Sequence, residues 1–440
     1  MLRPINSTWG RLLGAAMLLL ALGVGLAACG GGSSSSSSSS APAETTGSES
    51  SGSGGEETTA EETTEKATGS PIKIMASVAI NNPLASWPGT VAAGQTAAID
   101  INEHGGVNGH PIEIINCDNH LTPNGEATCG RKAVSENVVA YTGISSLATA
   151  SFPIIEKAGI PASLIPSEQE EVTNPINFPL TGSGFTVQIS LPYAVKEAGV
   201  KEAAIVYNEF GEEKHNAELA TEVAEKLGIK IVKTISVEVT QTTFGDVAAQ
   251  LQETGAEGVI LIGSPIQQTG IIQAATAIGF QPKIWSNAYG AFNPELVKAM
   301  GEVTTAGYMT GTVPPANDEE FPAMAEFNEQ SEVAAEQGVE NTQLELRDEN
   351  AVLQWLTIHM LAHVAEGIKG EVTSASMKKA LEGAKNVDIE GLFEWSPSAP
   401  GLKLAPNIKD GGLIYWGPIE GSFFKPESKE PVPVLEELGF

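Results

Sequence analysis

Basic side chains are scarce in this 440-residue chain: 24 Lys and Arg stand against 54 Asp and Glu, a formal net charge of −30. The acidic excess is spread along the sequence rather than gathered in a tail. Attachment to phosphates needs clusters of Lys and Arg, so nucleic acid and anionic lipid surfaces are excluded as partners. Cysteine is nearly absent too, with Cys29, Cys117 and Cys129 the only three. A zinc cluster needs more well-spaced ligands than Cys117, Cys129 and the nearby His120 supply. No nucleophile elbow, phosphate-binding P-loop or GxGxxG turn occurs, which removes the usual signals of hydrolase, kinase and dinucleotide chemistry. No catalytic residue and no cofactor is expected.

One apolar run stands out. Arg3 and Arg11 are followed by Leu12–Ala28, small and aliphatic throughout, ending in Leu26-Ala27-Ala28-Cys29. A basic start, a short apolar core and small residues before a cut describe a secretory signal, residues 1–28. The Leu-Ala-Ala-Cys end resembles the lipobox of bacterial lipoproteins, in which the cysteine thiol takes the lipid and becomes the new N-terminus. Residues 29–70 then carry Gly, Ser, Thr and Glu with scarcely an aliphatic side chain, a composition that cannot offset the entropy of ordering. This stretch reads as a disordered tether. In an oxidising compartment the even pair Cys117 and Cys129 favours a disulfide.

Residues 71–440 alternate strand and helix signals. Ile72–Ala79 is a β-rich run, and Thr90–Glu103 sets Val91, Gly94, Ala98 and Ile101 on one helical face before Gly105-Gly106 ends it. Strands are expected at 111–117, 138–143 and 160–165, with helices at 124–136, 148–158 and 185–198. A second block alternates from Ala203 to Ser286. Two blocks of this kind predict two doubly wound α/β lobes with parallel sheets. After Val313 the pattern turns helical, with a Gly- and Pro-rich end that packs back on the lobes.

Several runs carry a family resemblance. Gln95-Thr96-Ala97-Ala98-Ile99-Asp100-Ile101-Asn102 followed by Gly105-Gly106-Val107-Asn108-Gly109 resembles the first helix and turn of ABC-type branched-chain amino-acid substrate-binding proteins. Tyr141-Thr142-Gly143-Ile144-Ser145-Ser146, Ala158-Gly159-Ile160-Pro161, Thr243-Phe244-Gly245-Asp246 and Gly258-Val259-Ile260-Leu261-Ile262 agree in order and spacing. The resemblance implies a type I periplasmic-binding-protein fold with three crossings between lobes and hinge closure near residues 190, 315 and 385. On that scheme residues 71–190 and 316–385 build lobe 1, and 191–315 and 386–440 build lobe 2. It further implies a monomer that delivers a small molecule to an ABC permease and its ATPase subunits, tethered through Cys29. A sensory lobe of the same fold is the alternative. A lipid-anchored metal hydrolase, built on His359, His363 and Glu366 of one helix face, is a distant third.

Ligands of open α/β sheets sit beyond the carboxyl ends of the strands. Loop positions there nominate Trp87 as an aromatic cover, and Ser145, Ser146 and Leu147 as an anion-binding helix start. Ser167, Glu168 and Gln169 are nominated from lobe 1, and Phe210, Gln267, Asn287, Tyr289 and Asn350 from the rest. In relatives, an acid in the loop aligned with Asn287–Gly290 pairs with the ligand's ammonium; here the loop is Asn-Ala-Tyr-Gly. Either Glu168 or Glu170 substitutes, or the ligand lacks a free amine, the reading preferred at this level.

Overall fold

The computed structural model describes residues 67–300 and 306–440. The signal, Cys29 and residues 29–66 of the tether lie outside the described residues. Among those described, no helix is long and apolar enough to cross a membrane.

The first sheet joins β1 (Ile72–Val78), β2 (Ile112–Asp118), β3 (Ala140–Gly143) and β4 (Ala162–Leu164), all parallel, in the order β2-β1-β3-β4. Each strand is returned by a helix: α1 (Pro88–Glu103), α2 (Pro123–Glu136) and α3 (Phe152–Lys157). Burial on both faces explains the continuous apolar strands, since a parallel sheet is covered by helices on each side. Cys117 and Cys129 are joined in a disulfide, Cα–Cα 5.7 Å, which ties β2 to α2.

Three short helices, α4 (Gln169–Thr173), α5 (Ser183–Ser190) and α6 (Pro192–Glu197), lead into the second sheet. There β5 (Glu202–Asn208), β6 (Lys230–Val237), β7 (Gly258–Ile262), β8 (Ile284–Ala288) and β9 (Gly307–Gly311) run parallel. Their connections are α7 (Glu213–Lys226), α8 (Gly245–Thr254), α9 (Pro265–Ala277) and α10 (Pro294–Met300). The chain then returns to the first lobe with α11 (Pro322–Glu336), α12 (Glu349–Glu366), α13 (Ser374–Gly383) and a hairpin of β10 (Val387–Ile389) and β11 (Phe393–Trp395). Last come β12 (Tyr415–Glu420), antiparallel to β9, then β13 (Phe423–Phe424) and α14 (Val434–Glu437). The second sheet is therefore ordered β13-β12-β9-β8-β7-β5-β6. Two doubly wound lobes with three passages of the chain between them result.

Three expectations need correction. The helix read over 185–198 is two helices, because Pro192 has no N–H for the ladder and opens a new first turn instead. The helix read over 148–158 is a 3₁₀ turn at Ala148–Ala150 followed by α3, again with a proline, Pro153, in the first turn. Residues 387–395 do not join the second lobe: Ile389 and Trp395 are buried in the core under α12, and Trp395 Nε1 donates to Pro179 O at 3.1 Å. The last passage comes after Trp395, not at 385.

Candidate functional site

Both sheets change winding direction at one point, between β1 and β3 in the first and between β5 and β7 in the second. Crevices open at such points beyond the strand ends. The two crevices face each other and enclose about 830 Å³, part of it open to solvent. Leu84 and Trp87 enter from the loop after β1, Ser146 from the end of β3 and Ser167 from the end of β4. Asn208, Phe210 and Glu213 enter after β5, Ser264 and Gln267 after β7, and Gly290 after β8. Glu349 and Asn350 come from the start of α12.

The lobes touch across this cleft. Ser264 Oγ donates to Leu84 O at 2.8 Å, and Trp87 Nε1 donates to Gly290 O at 3.3 Å. Gln169 N–H donates to Glu212 Oε2 at 2.7 Å, and Asn216 Nδ2 to Ser167 O at 3.1 Å. Leu84, Trp87 and Phe210 pack around Ala85 and Leu121 as an apolar corner drawn from both lobes. Gly211, at φ +52°, lies against Glu168 of the other lobe: a Cβ there would stand 2.5 Å from Glu168 Oε1, and the left-handed backbone favours glycine.

Of the residues nominated from sequence, Trp87, Ser146, Ser167, Phe210, Gln267 and Asn350 line the cleft. The others do not. Ser145 is buried, its Oγ accepting from Leu147 N–H at 3.1 Å, and Leu147 is absent from the lining. Asn287 is buried with Nδ2 turned to Trp285 O, and Tyr289 sends its hydroxyl to Arg347 O at 3.1 Å. Glu168 and Gln169 lie behind the wall, and Glu170 accepts from Asn174 Nδ2 at 3.1 Å. Gln267 reaches the lining, but its amide nitrogen donates to the carbonyls of Glu238, Val239 and Gln241. It braces a loop.

At the helix start expected to hold an anion, the Ala148 N–H is taken by an internal acid. Glu171, fully buried, directs its carboxylate at the N–H groups of Ser167, Glu168 and Ala148.

What sequence reasoning missed is acidic. Glu349 lines the cleft with both oxygens engaged: Oε1 accepts from Thr312 N–H at 2.6 Å and Thr312 Oγ1 at 2.8 Å, and Oε2 from Gly290 N–H at 3.1 Å. Glu213 is different. Its Oε1 accepts from Gln188 Nε2 at 3.2 Å, while Oε2 is buried with no partner. Burial pushes both carboxyls up to about 7, against the pull of these hydrogen bonds. Burial, with Glu171, Glu212 and Glu213 around it, pushes Glu168 up to about 9. Among the described residues no Lys or Arg lines the cleft. The one available signal was position, for Glu213 stands three residues beyond the nominated Phe210 and Glu349 directly precedes Asn350.

A cleft lined from two doubly wound lobes is the architecture of a solute-binding protein. The model of the periplasmic binding protein family matches residues 71–414, and the chain belongs to that family, with the type I fold of the branched-chain amino-acid ABC substrate-binding proteins. Among solved structures it is similar to the branched-chain amino-acid transporter substrate-binding protein LivJ of Streptococcus pneumoniae, solved with isoleucine: 19% identity, 82% of this chain and 99% of that one, TM-score 0.67. A Rhodopseudomonas palustris solute-binding protein in complex with 4-hydroxybenzoate aligns at 16% identity over 82% and 97%, TM-score 0.67. A substrate-binding periplasmic protein from Ralstonia solanacearum gives 15%, 80% and 98%, TM-score 0.68. No curated protein matches the chain by sequence.

Proposed function

We propose that the protein is the solute-capturing component of an ABC importer, and that its ligand is a small molecule bearing an ammonium group, an amino acid or an amino amide. Residues 1–28 serve as the export signal, a lipidated Cys29 is the membrane anchor and residues 30–70 are the leash. The lobes close about the passages near residues 190 and 315 and after Trp395, and ligand contacts to both lobes shift the population towards closure. An ABC permease with its ATPases receives the ligand from a monomeric receptor.

The observation that carries the ligand class is Glu213 Oε2, a buried acceptor without a donor in a cleft wall that holds no basic side chain. An isolated buried carboxylate is costly unless it is paired, and a cation supplies the pair. A purely anionic ligand would face Glu213 and Glu349 with no counter-charge and find the nearby N–H nest occupied by Glu171. The isoleucine in LivJ and the 4-hydroxybenzoate in the R. palustris protein bracket the choice; the acidic wall favours the former chemistry. Leu84, Trp87 and Phe210 provide an apolar surface for the rest of the ligand.

Mass spectrometry of small molecules released from the purified, denatured protein, followed by calorimetric titration, tests this. An amine-bearing compound that binds the wild type and loses affinity in Glu213→Gln is expected. Tight binding of an aromatic or aliphatic monocarboxylate lacking any amine would overturn the ligand class, and no compaction with any released compound would overturn the receptor reading.

A further inference from the structure

On the flank of the first lobe, remote from the cleft, two histidines of α12 converge with an acid that sequence spacing did not pair with them. His359 and His363 stand one turn apart and share a face. Glu366, their neighbour on the helix, approaches His363 only to 4.0 Å. Glu390 takes the place. It sits at the tip of the β10–β11 hairpin, in a turn closed by Leu392 N–H donating to Ile389 O at 2.9 Å. Glu390 and Gly391 both have positive φ, +47° and +68°, the backbone of a type I′ turn. Asn, Asp and Gly are the residues that favour such a position, and glutamate is an uncommon occupant. The turn nevertheless directs the Glu390 carboxylate onto α12.

His363 Nε2 lies 3.0 Å and His359 Nδ1 3.3 Å from the same oxygen, Glu390 Oε1. One donor atom from each of the three residues falls within 4.8 Å of the other two. With zinc–ligand bonds of about 2.0–2.1 Å, neighbouring atoms of a tetrahedral shell stand roughly 3.3 Å apart. The spacing therefore suits a shared ion without rearrangement of the backbone. As hydrogen bonding alone the cluster is less complete: one oxygen serves two imidazoles, and His359, buried edge-on against Trp355, leaves Nε2 without a partner. Asp100 and Glu326, from α1 and α11, lie near enough to Glu390 to feel its charge, so the local field is negative.

We infer that His359, His363 and Glu390 form a binding site for a divalent transition ion, zinc foremost, with a fourth position left to water. Two imidazoles and one carboxylate are a donor set that such ions accept. The half-exposed edge of His363 is the way in, since its side chain is 39% accessible while Glu390 is 13% and His359 6% accessible. The site stands ten to fourteen residues along α12 from Glu349, roughly 15–21 Å at helical rise. An ion there pins the hairpin to α12 just before the chain passes back to the second lobe, and does not compete with the cleft ligand.

The test uses the untagged, unlipidated chain with its disulfide intact, the Cys29 thiol alkylated and metal removed by a chelator. Titration with zinc chloride by calorimetry should show one equivalent bound in the micromolar range or tighter, with a rise in Tm. His363→Ala and Glu390→Gln, both at the accessible side of the cluster, should each weaken binding by at least about tenfold and abolish the Tm rise while leaving cleft-ligand affinity unchanged. Absence of binding at micromolar zinc in the folded wild type, or equal binding in both variants, overturns the site. Neither result bears on the cleft, whose ligand titration is read separately.

Discussion

Two buried carboxylates, one in each lobe, sit within reach of the same cleft and have opposite uses. Glu171 in the first lobe has three backbone N–H groups around it and belongs to the architecture: it closes a nest between the ends of β3 and β4. Glu213 in the second lobe lines the cleft and accepts from one side chain, Gln188; each of the two acids has one oxygen without a hydrogen-bond partner. A buried acid is thus structural when backbone N–H groups hold it behind the cleft wall, and available to a ligand when it stands in that wall with few donors. Glu349 lies on the structural side of this division although it lines the cleft.

The contrast can be broken most forcefully at Glu171. Glu171→Ala leaves three N–H groups unsatisfied in the interior and should cost about 3–5 kcal/mol, read as a fall in the chemical-denaturation midpoint. Next in size, replacing Cys117 and Cys129 by Ser should remove about 3 kcal/mol of stability in the chain-entropy description, with ligand affinity retained; equal stability of reduced and oxidised protein would contradict it. Glu213→Gln should do the reverse of Glu171→Ala, lowering affinity for an amine ligand by about 2–3 kcal/mol in calorimetry while stability holds or rises. Trp87→Ala is the smallest change, about 1 kcal/mol of affinity with little effect on folding, since the ring is only partly buried.

Acidity sharpens the same comparison. Glu213 and Glu349 are pushed up to about 7 from an ordinary value of 4.5, so the folded chain holds protons that the unfolded chain has released. Stability of the ligand-free protein is then greatest below about pH 4.5 with respect to these groups, and is lost as pH rises through about 7. Denaturation midpoints at a series of pH values should fall across that window. An amine ligand, by pairing with ionised Glu213, should flatten the fall, and Glu213→Gln should flatten it without ligand.

Much of the architecture was legible because parallel strands buried on both faces announce themselves as apolar runs, and β1, β5 and β7 do so over nearly their whole length. The switch-point loops followed from that, and with them Trp87, Ser146, Ser167, Phe210 and Asn350. Side-chain direction did not. All five residues of β8 are buried, so nothing in its pattern revealed that Asn287 faces inward, away from the cleft. Nor could a one-dimensional reading show that Glu171 had taken the N–H of Ala148, since that pairing joins turns more than twenty residues apart. The acids were visible letters with invisible partners.

Near its end the chain acts as a strap. Leu402, Ala405 and Ile408 are buried together with Val172 of α4 and with Phe185, Ile189 and Val223, which lead into and belong to the second lobe. Asn407 is hydrogen-bonded to Val172 O and Asn174 O, while residues beyond Pro433 fold over α5 and α7, Lys226 Nζ reaching Leu438 O at 2.7 Å. The buckle is fastened on both halves. On the proposed hinge motion, this third passage between Trp395 and Tyr415 is the tether on opening, and shortening its free stretch 396–401 is expected to slow ligand exchange without touching a residue of the pocket.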